Sequence, residues 1–380
     1  MLRNGIDLIE QHDGLFTGKR LGLITSVTGL GTNFESTIDI LHRRYGLSAL
    51  FSPEHGVRGN IPPGDLVETY TDPATGVTAY SLYRQDSKRM TTEMLDAVDM
   101  VIYDIQDVGA RYYTFLYTML YALEDCAASG KEFVVLDRAA PLGDKVEGNV
   151  LQPGYESFVG GFPLAMRYGL TAGEFAQMAN DRLNLHAKLT VIPVEGWRRD
   201  MLYPETGRCW VPPSMGIPKF ETALLYPGLC LFEGTNLSEG RGTTGPFELI
   251  GAPFLNAQEL AASMQAKKLG GVAFTPAYFT PTASKFQGEP CEGVQIHVTD
   301  PRGISPVEVG LTLLFEILDR YEGAAHLLPA VREGGRQFIE LLCGSDVLTR
   351  RRSNLSAILE QFHEESHVFA REKQAYHIYS

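Results

Sequence analysis

The chain lacks the features that mark several broad protein classes. Nothing in its 380 residues approaches the ~18 consecutive apolar residues of a membrane-spanning helix. The first residues, MLRNGIDLIEQHDG, contain no apolar signal core, so a cytoplasmic location is expected, or a secreted or periplasmic one if a leader has been removed. The five cysteines (Cys126, Cys209, Cys230, Cys291, Cys343) are scattered, odd in number and without a C-x-x-C pair. That pattern argues for reduced thiols and against a disulfide framework or a zinc knot. Positive charge is scarce: 33 Lys and Arg face 46 Asp and Glu, a net charge of −13. Such a surface repels phosphate backbones and argues against nucleic-acid binding. There is no P-loop lysine motif, no G-x-S-x-G elbow and no cysteine with a nearby histidine. No cofactor and no metal are expected.

What is present is a regular alternation. Arg20–Thr28, Leu47–Phe51, Val77–Leu82, Met100–Asp104 and Phe133–Asp137 read as short apolar strands. Helical patterns lie between them around Ser36–Tyr45, Thr92–Ala97 and Thr114–Ala128, and Thr171–Leu183 with Leu189–Pro193 extends the series. Continuous apolar strands separated by helices imply a mostly parallel sheet covered on both faces. The expected fold class is therefore α/β, with a Rossmann-like N-terminal domain (1–222) and a smaller α+β C-terminal domain (223–380) completing a cleft. Between Trp197 and Pro253 the chain turns rich in Pro, Gly, Ser, Thr and Asn, and reads as a long irregular binding segment. Helices are expected again at Ala257–Ala266, Ser305–Tyr321 and Asn354–Phe369, and strands near Val272–Phe274 and Val294–Val298.

Ligands of open parallel sheets bind beyond the carboxyl ends of the strands. The second strand ends in Ser52-Pro53-Glu54-His55-Gly56-Val57-Arg58, the fourth in Asp104-Ile105-Gln106-Asp107 and Arg111-Tyr112-Tyr113, and the fifth in Asp137-Arg138. Polar groups concentrated at one edge must bind something or satisfy one another. Asp104 and Asp137 also suit turn or helix capping, and Arg111 suits an i, i+4 pair with Asp107. Glu54, wedged between Pro53 and a His-Gly turn, has no such structural use. His55 is either a chemical or an orienting group.

Two apparent motifs fail on context. Gly240-Arg241-Gly242-Thr243-Thr244-Gly245 fits G-x-G-x-x-G but follows no strand and opens no helix, so it reads instead as a cradle for an anionic or sugar ligand with Arg241 pointing in. His363-Glu364-Glu365-Ser366-His367 fits H-E-x-x-H, yet its helix carries a core stripe of Leu355, Leu359, Phe362 and Phe369 and lacks a third ligand at usable spacing. The remaining inventory of carboxylates and aromatic rings is what glycoside hydrolysis needs.

Taken in order, Ser52–Gly59 (SPEHGVRG), Asp104–Tyr113 (DIQDVGARYY), Asp137–Gly143 (DRAAPLG) and Phe232–Phe247 (FEGTNLSEGRGTTGPF) resemble the exo-β-N-acetylmuramidases of the NamZ type. The resemblance runs along the chain to the aromatic stretch Arg371–Tyr379. It implies a Rossmann-like domain, a smaller second domain and an active site between them. It also implies release of terminal N-acetylmuramic acid from the non-reducing end of peptidoglycan fragments, with Glu54 as catalytic candidate. The last motif adds Glu233, Asn236 and Glu239 to Arg241 as substrate-binding candidates. The chain departs from the family's usual D-R-P-N-P-L-G-G at Ala139, Ala140 and Asp144 and from its P-S-P-N at Pro213-Ser214-Met215-Gly216, losing both asparagines; an altered preference for sugar or aglycone is expected.

Glu54 is then expected to be the general acid/base, with His55, Asp104 and Asp107 as further catalytic candidates. The partner group stays open between Asp104, Asp107, Asp137 and the sugar's own acetamido group. Arg111, Arg241 and Arg58 are candidates to clamp the lactyl carboxylate. Ser52, Gln106, Tyr112, Tyr113 and Arg138 complete the expected binding set. Two rival readings use the same residues: a metal-dependent hydrolase with Glu54, His55, Asp104 and Asp107 as ligands, and a non-catalytic module for cell-wall sugars.

Overall fold

The apolar runs of the first half become one sheet in the computed structural model, which describes residues 2–59, 61, 64–350 and 354–380. A one-turn helix, α1 (Asp13–Phe16), leads into β1 (Leu21–Thr25). Helix α2 (Thr37–Tyr45) starts where the Ser36 hydroxyl oxygen accepts from the Ile38 amide at 3.1 Å, and returns the chain to β2 (Leu47–Ser52). A two-residue strand β3 (Tyr70–Thr71) precedes β4 (Thr78–Ser81), α3 (Thr92–Asp96), β5 (Met100–Asp104), α4 (Phe115–Ser129) and β6 (Glu132–Leu136). A hairpin of β7 (Glu147–Val150) and β8 (Ala165–Arg167) intervenes before α5 (Ala172–Arg182) and β9 (Lys188–Ile192).

The seven-stranded sheet runs β3-β4-β2-β1-β5-β6-β9, parallel except for the β3–β4 pair. Side-chain alternation feeds two cores. Leu21, Leu23, Met100 and Ile102 pack with Ile38 and Leu41 of α2 on one face. Ile24, Val101, Tyr103 and Phe133 pack with Leu116, Leu120 and Phe175 of α4 and α5 on the other. Burial on both faces explains why these strands read as unbroken apolar runs.

The second half begins with α6 (Phe220–Leu229), then β10 (Leu249–Ala252), α7 (Ala257–Ala266), β11 (Val272–Phe279), β12 (Cys291–Val298) and α8 (Pro306–Arg320). Its three strands form an antiparallel sheet in the order β10-β12-β11. Helix α6 corrects the expectation of an irregular Trp197–Pro253 segment. Nine of its ten residues are buried and it contains Pro227, so it shows neither an amphipathic period nor an uninterrupted helical composition. Residue 222 lies inside it. Helices α6 and α8 approach so closely that a Cβ on Gly228 would overlap the Pro306 carbonyl, and one on Gly310 the carbonyl of Gly228. The short α9 (Phe338–Cys343), α10 (Val347–Arg350) and the long α11 (Leu355–Glu372) end the chain. Helix α11 returns to the first half, where the Val150 amide donates to Glu365 Oε2 at 2.9 Å.

One buried cation ties these parts together. Arg111, fully inaccessible, donates through Nη1 to the carbonyls of Asn149 (2.8 Å) and Leu164 (2.7 Å), and through Nη2 to those of Leu342 (3.0 Å) and Cys343 (2.7 Å). It joins the loop after β5, the hairpin region and the end of α9. It pairs with backbone rather than with Asp107, and its guanidinium is occupied by carbonyls rather than free for an anion. Arg111→Met should leave several buried carbonyls without donors, lowering stability by about 3 kcal/mol or more. Denaturant unfolding checks this; a midpoint within experimental error of the parent would refute the role.

Candidate active site

Strand β2 delivers Glu54 to the sheet edge through a tight turn. His55 adopts a left-handed φ of 71° and Gly56 follows at 80°. His55 Nδ1 lies 3.1 Å from the Ile61 carbonyl, and its ring meets Phe115 edge-on, 6.2 Å between centroids. The Glu54 carboxylate accepts from Thr114 Oγ1 (2.7 Å) at Oε2 and from the Gly64 amide (3.2 Å) at Oε1. Thr114 is the residue before α4, so the acid rests at the start of that helix. Tyr83, just beyond β4, lies beside it; burial first, then the Glu54 charge, pushes the Tyr83 hydroxyl up to about 12.

These groups face a cavity of about 170 Å³. Its floor is aromatic. Tyr113 meets Phe115 (5.0 Å) and Tyr226 (6.3 Å) edge-on, and Tyr226 meets Phe247 at 4.8 Å. Tyr112 also lines the wall while its hydroxyl donates to the Pro227 carbonyl at 2.9 Å. The Tyr113 hydroxyl is buried without a hydrogen-bond partner among the described residues. Burial holds it far above the ordinary tyrosine range.

The second half contributes the opposite wall, with Glu233 and Arg241 on it. Arg241 donates from Nε (3.1 Å) and Nη2 (2.7 Å), both to Glu233 Oε1. Glu239 lies behind, 3.6 Å from Arg241 Nε and 3.0 Å from Lys285 Nζ. Burial raises the Glu233 carboxyl while Arg241 opposes the rise. The positive φ of Gly240 (79°) and Gly242 (78°) bends the loop around Arg241, whose Nη1 would be crowded by a Cβ on Gly216.

Of the residues expected from sequence, the cavity brings together Glu54, His55, Tyr112, Tyr113, Glu233 and Arg241. The others lie off its wall, and all but Ser52 have side-chain partners of their own. Asp104 is locked by Arg138 (Nε 2.5 Å, Nη2 2.9 Å) and by the Thr37 hydroxyl. Asp137 accepts from Thr171 (2.6 Å), Tyr379 (2.5 Å), the Gly173 amide (2.8 Å) and the Arg138 amide (3.0 Å), and burial pushes it up to about 6. Gln106 donates to the carbonyls of Asp107 and Ala139, both at 2.9 Å. Arg58 is forked onto Asp72 (3.1 and 3.0 Å). Asn236 bridges Ala324 and His326, and Ser52 is buried in β2. Asp107 accepts from the Gly109 amide (2.7 Å) and the Tyr168 hydroxyl. Its other oxygen is buried and unpartnered, and burial pushes the carboxyl up to about 6.

The ligand set of the metal reading is thus split, with Glu54 and His55 on the cavity and Asp104 and Asp107 away from it. Among the described residues no three His, Cys, Asp or Glu side chains are gathered to hold an ion. Tyr83, Ser214 and Tyr226 were not anticipated. Tyr83 had a signal, since it follows the third expected strand by one residue. Ser214 and Tyr226 come from the Pro-rich stretch and the buried α6, where spacing says nothing about which side chains meet.

An acid-bearing, aromatic-lined cleft between a Rossmann-type sheet and a smaller α+β half defines the class of this protein. The family model described as exo-beta-N-acetylmuramidase NamZ, N-terminal, matches residues 21–221, and its C-terminal counterpart matches 224–379. The chain belongs to this NamZ family. It is 46% identical over 324 residues to the peptidoglycan beta-N-acetylmuramidase NamZ of Bacillus subtilis, covering 84% of this chain and 78% of that protein. Two solved DUF1343 family proteins of Bacteroides fragilis share its fold, with TM-scores of 0.91 at 36% identity and 0.78 at 28%. Both alignments cover 100% of this chain and 99% of the other.

The lone charge of Asp107 makes a prediction about acid. Its folded value of about 6 lies above the ordinary 3.8, so the folded state holds the proton more tightly. Its contribution to stability is full below about pH 4 and is lost as pH rises to about 6, a change on the order of 3 kcal/mol. Asp107→Asn should remove that part of the pH dependence. From denaturation curves, the stability at pH 7 minus that at pH 4.5 should therefore be more positive for the variant than for the parent, by about 2 kcal/mol; an unchanged difference would defeat the assignment.

Proposed function

We propose that this chain is an exo-acting β-N-acetylmuramidase that releases terminal N-acetylmuramic acid from the non-reducing ends of peptidoglycan fragments. The observation that carries the reading is the pairing of two carboxylates on one aromatic cavity, Glu54 from the Rossmann half and Glu233 from the other. Membership of the NamZ family and the activity named for the Bacillus subtilis relative support it.

Glu54 is assigned as the general acid. Its two neutral donors, Thr114 and Gly64, hold the carboxyl at the cavity wall without an ion pair, where the leaving glycosidic oxygen would lie. Glu233 is assigned the second role, placing negative charge against the oxocarbenium-like transition state. Arg241 restrains it through Oε1 alone, and among the described residues no donor reaches Oε2. The rings of Tyr113, Tyr226 and Phe247 suit the apolar faces of a sugar, and the Tyr113 hydroxyl, with Ser214 beside it, suits a polar substituent. Arg241 Nη1, the nitrogen not used by Glu233, is the donor left for the lactyl carboxylate that distinguishes a muramyl from a glucosaminyl residue.

Glu54→Gln should keep the fold and sugar binding while lowering turnover of a chromogenic β-muramide by roughly 10²–10⁴-fold; near-parental turnover would remove Glu54 from the mechanism. The parent protein should hydrolyse that β-muramide and leave the matching β-glucosaminide intact. Arg241→Lys keeps the charge but loses the planar fork, and should raise KM for the muramide about tenfold. An unchanged KM in that variant would place lactyl recognition elsewhere.

A further inference from the structure

A second recess adjoins the catalytic cavity, and Phe158 forms a wall of both. The recess is open to solvent, about 360 Å³, and lies beside Lys88, Arg89 and Tyr121. Its aromatic lining is continuous with the site already described. Tyr83, the neighbour of Glu54, lies 5.8 Å from Phe158, and Phe158 lies 6.2 Å from Tyr121. Three half-buried rings therefore follow one another from beside Glu54 to the second recess.

The charges along that series differ in how they are satisfied. Arg89 is anchored by Glu124 and by Asp125 (3.3 Å), with its guanidinium 4.5 Å from the Tyr121 ring centre. Arg84 is held near Asp86 at 3.5 Å. Lys88 has no carboxylate within ion-pair distance among the described residues. Its ammonium donates to the Arg84 carbonyl at 2.7 Å and sits 3.4 Å from the Tyr83 ring centre and 5.7 Å from that of Phe158. Burial lowers the affinity of this amine for its proton, and the nearby Glu54 charge opposes that. In a chain with 46 acidic residues, a cation left without an acidic partner at the junction of two cavities has donors to offer an incoming anion.

We infer that this recess is the aglycone subsite: Phe158 and Tyr121 stack the sugar that follows the scissile bond, and Lys88 binds a carboxylate carried farther along the same chain. The inference rests on the muramidase reading, because only the direction of the cut makes this the aglycone side. An alternating glycan supplies the carboxylate in two forms, the lactyl group of the next muramyl residue or an acidic peptide attached to it. The shared chemistry is a carboxylate set beyond a neutral N-acetylglucosaminyl ring. Stacking on an aromatic face is sequence-tolerant, whereas the charge pair adds preference for the longer, acidic chain.

The test compares kcat/KM for MurNAc–GlcNAc–MurNAc, with and without attached peptide, against that for the aryl β-muramide, whose leaving group carries no carboxylate. Lys88→Met keeps the apolar stem between the rings and removes the charge. It should lower the ratio of trisaccharide to aryl muramide about tenfold, the scale of one charge-assisted hydrogen bond, and Lys88→Arg should restore most of it. A drop confined to the peptide-bearing chain assigns the carboxylate to the peptide, and a drop in both assigns it to the lactyl group. An unchanged ratio for both chains overturns the subsite. Should the parent cleave no muramide at all, the activity reading falls, and calorimetry with the GlcNAc–MurNAc disaccharide decides the subsite alone. Binding weakened about tenfold by Lys88→Met upholds it, and equal or absent binding to the parent overturns it.

Discussion

A guanidinium taken out of water must find acceptors for its donors, and the burial of Arg111 sets most of this architecture. Four carbonyls from three separate stretches of chain have to converge on it. That convergence draws the end of α9, from the second half, against the hairpin region of the first. It also fixes the three residues that follow. Tyr112 and Tyr113 face the cavity, and Thr114 holds Glu54 with its hydroxyl. The Glu54 carboxyl is thus positioned at one remove by a buried cation.

The two acids of the cavity are held in different ways. Glu54 sits among a hydroxyl, an amide and a tyrosine, with no cation paired to it among the described residues. Glu233 is backed by a guanidinium that itself leans on a second acid, Glu239, which Lys285 in turn neutralises. Carboxylates in such unlike surroundings are free to take unlike roles. The chain Glu233–Arg241–Glu239–Lys285 alternates in sign, so burying it costs far less than burying either acid alone.

Much of the regular structure was legible because its signals are local. The strand Met100–Asp104 and the helix Ala257–Ala266 appear at their expected bounds, and other paired elements differ by a few residues at their ends. What stayed hidden lacks a local signal. Helix α6 is apolar on every side, and β7 and β8 are short strands in a hairpin off the main sheet. The site was legible in kind but not in membership. Glu54, with its odd place between Pro53 and His55, stood out because no structural rule needed it. Asp104, Asp137 and Arg111 carried a structural and a functional reading side by side, because sequence gives the polarity of a strand end and not its partners. Only tertiary pairing shows that these charges cancel against Arg138, Thr171 or backbone.

That cancellation also explains where the cavity lies. In a doubly wound sheet the favoured crevice opens where strand order reverses, here between β1 and β5. In this protein the crevice is filled. Arg138 reaches across from β6 to Asp104, Thr37 closes on the same carboxylate, and the Gln106 amide is bound by Thr28 Oγ1 at 2.9 Å. A recess of about 20 Å³ lies there among the described residues, lined in part by Gln106, Arg138, Tyr203 and Arg208. With the switch point packed, usable space shifts one strand over, to where the loop after β2 meets the start of α4 and the second half supplies the facing wall. A second half is therefore a physical requirement of this site: the first half gives Glu54 the company of Tyr83 and Tyr113, and the aromatic box closes only when Tyr226 and Phe247 stand opposite Tyr113.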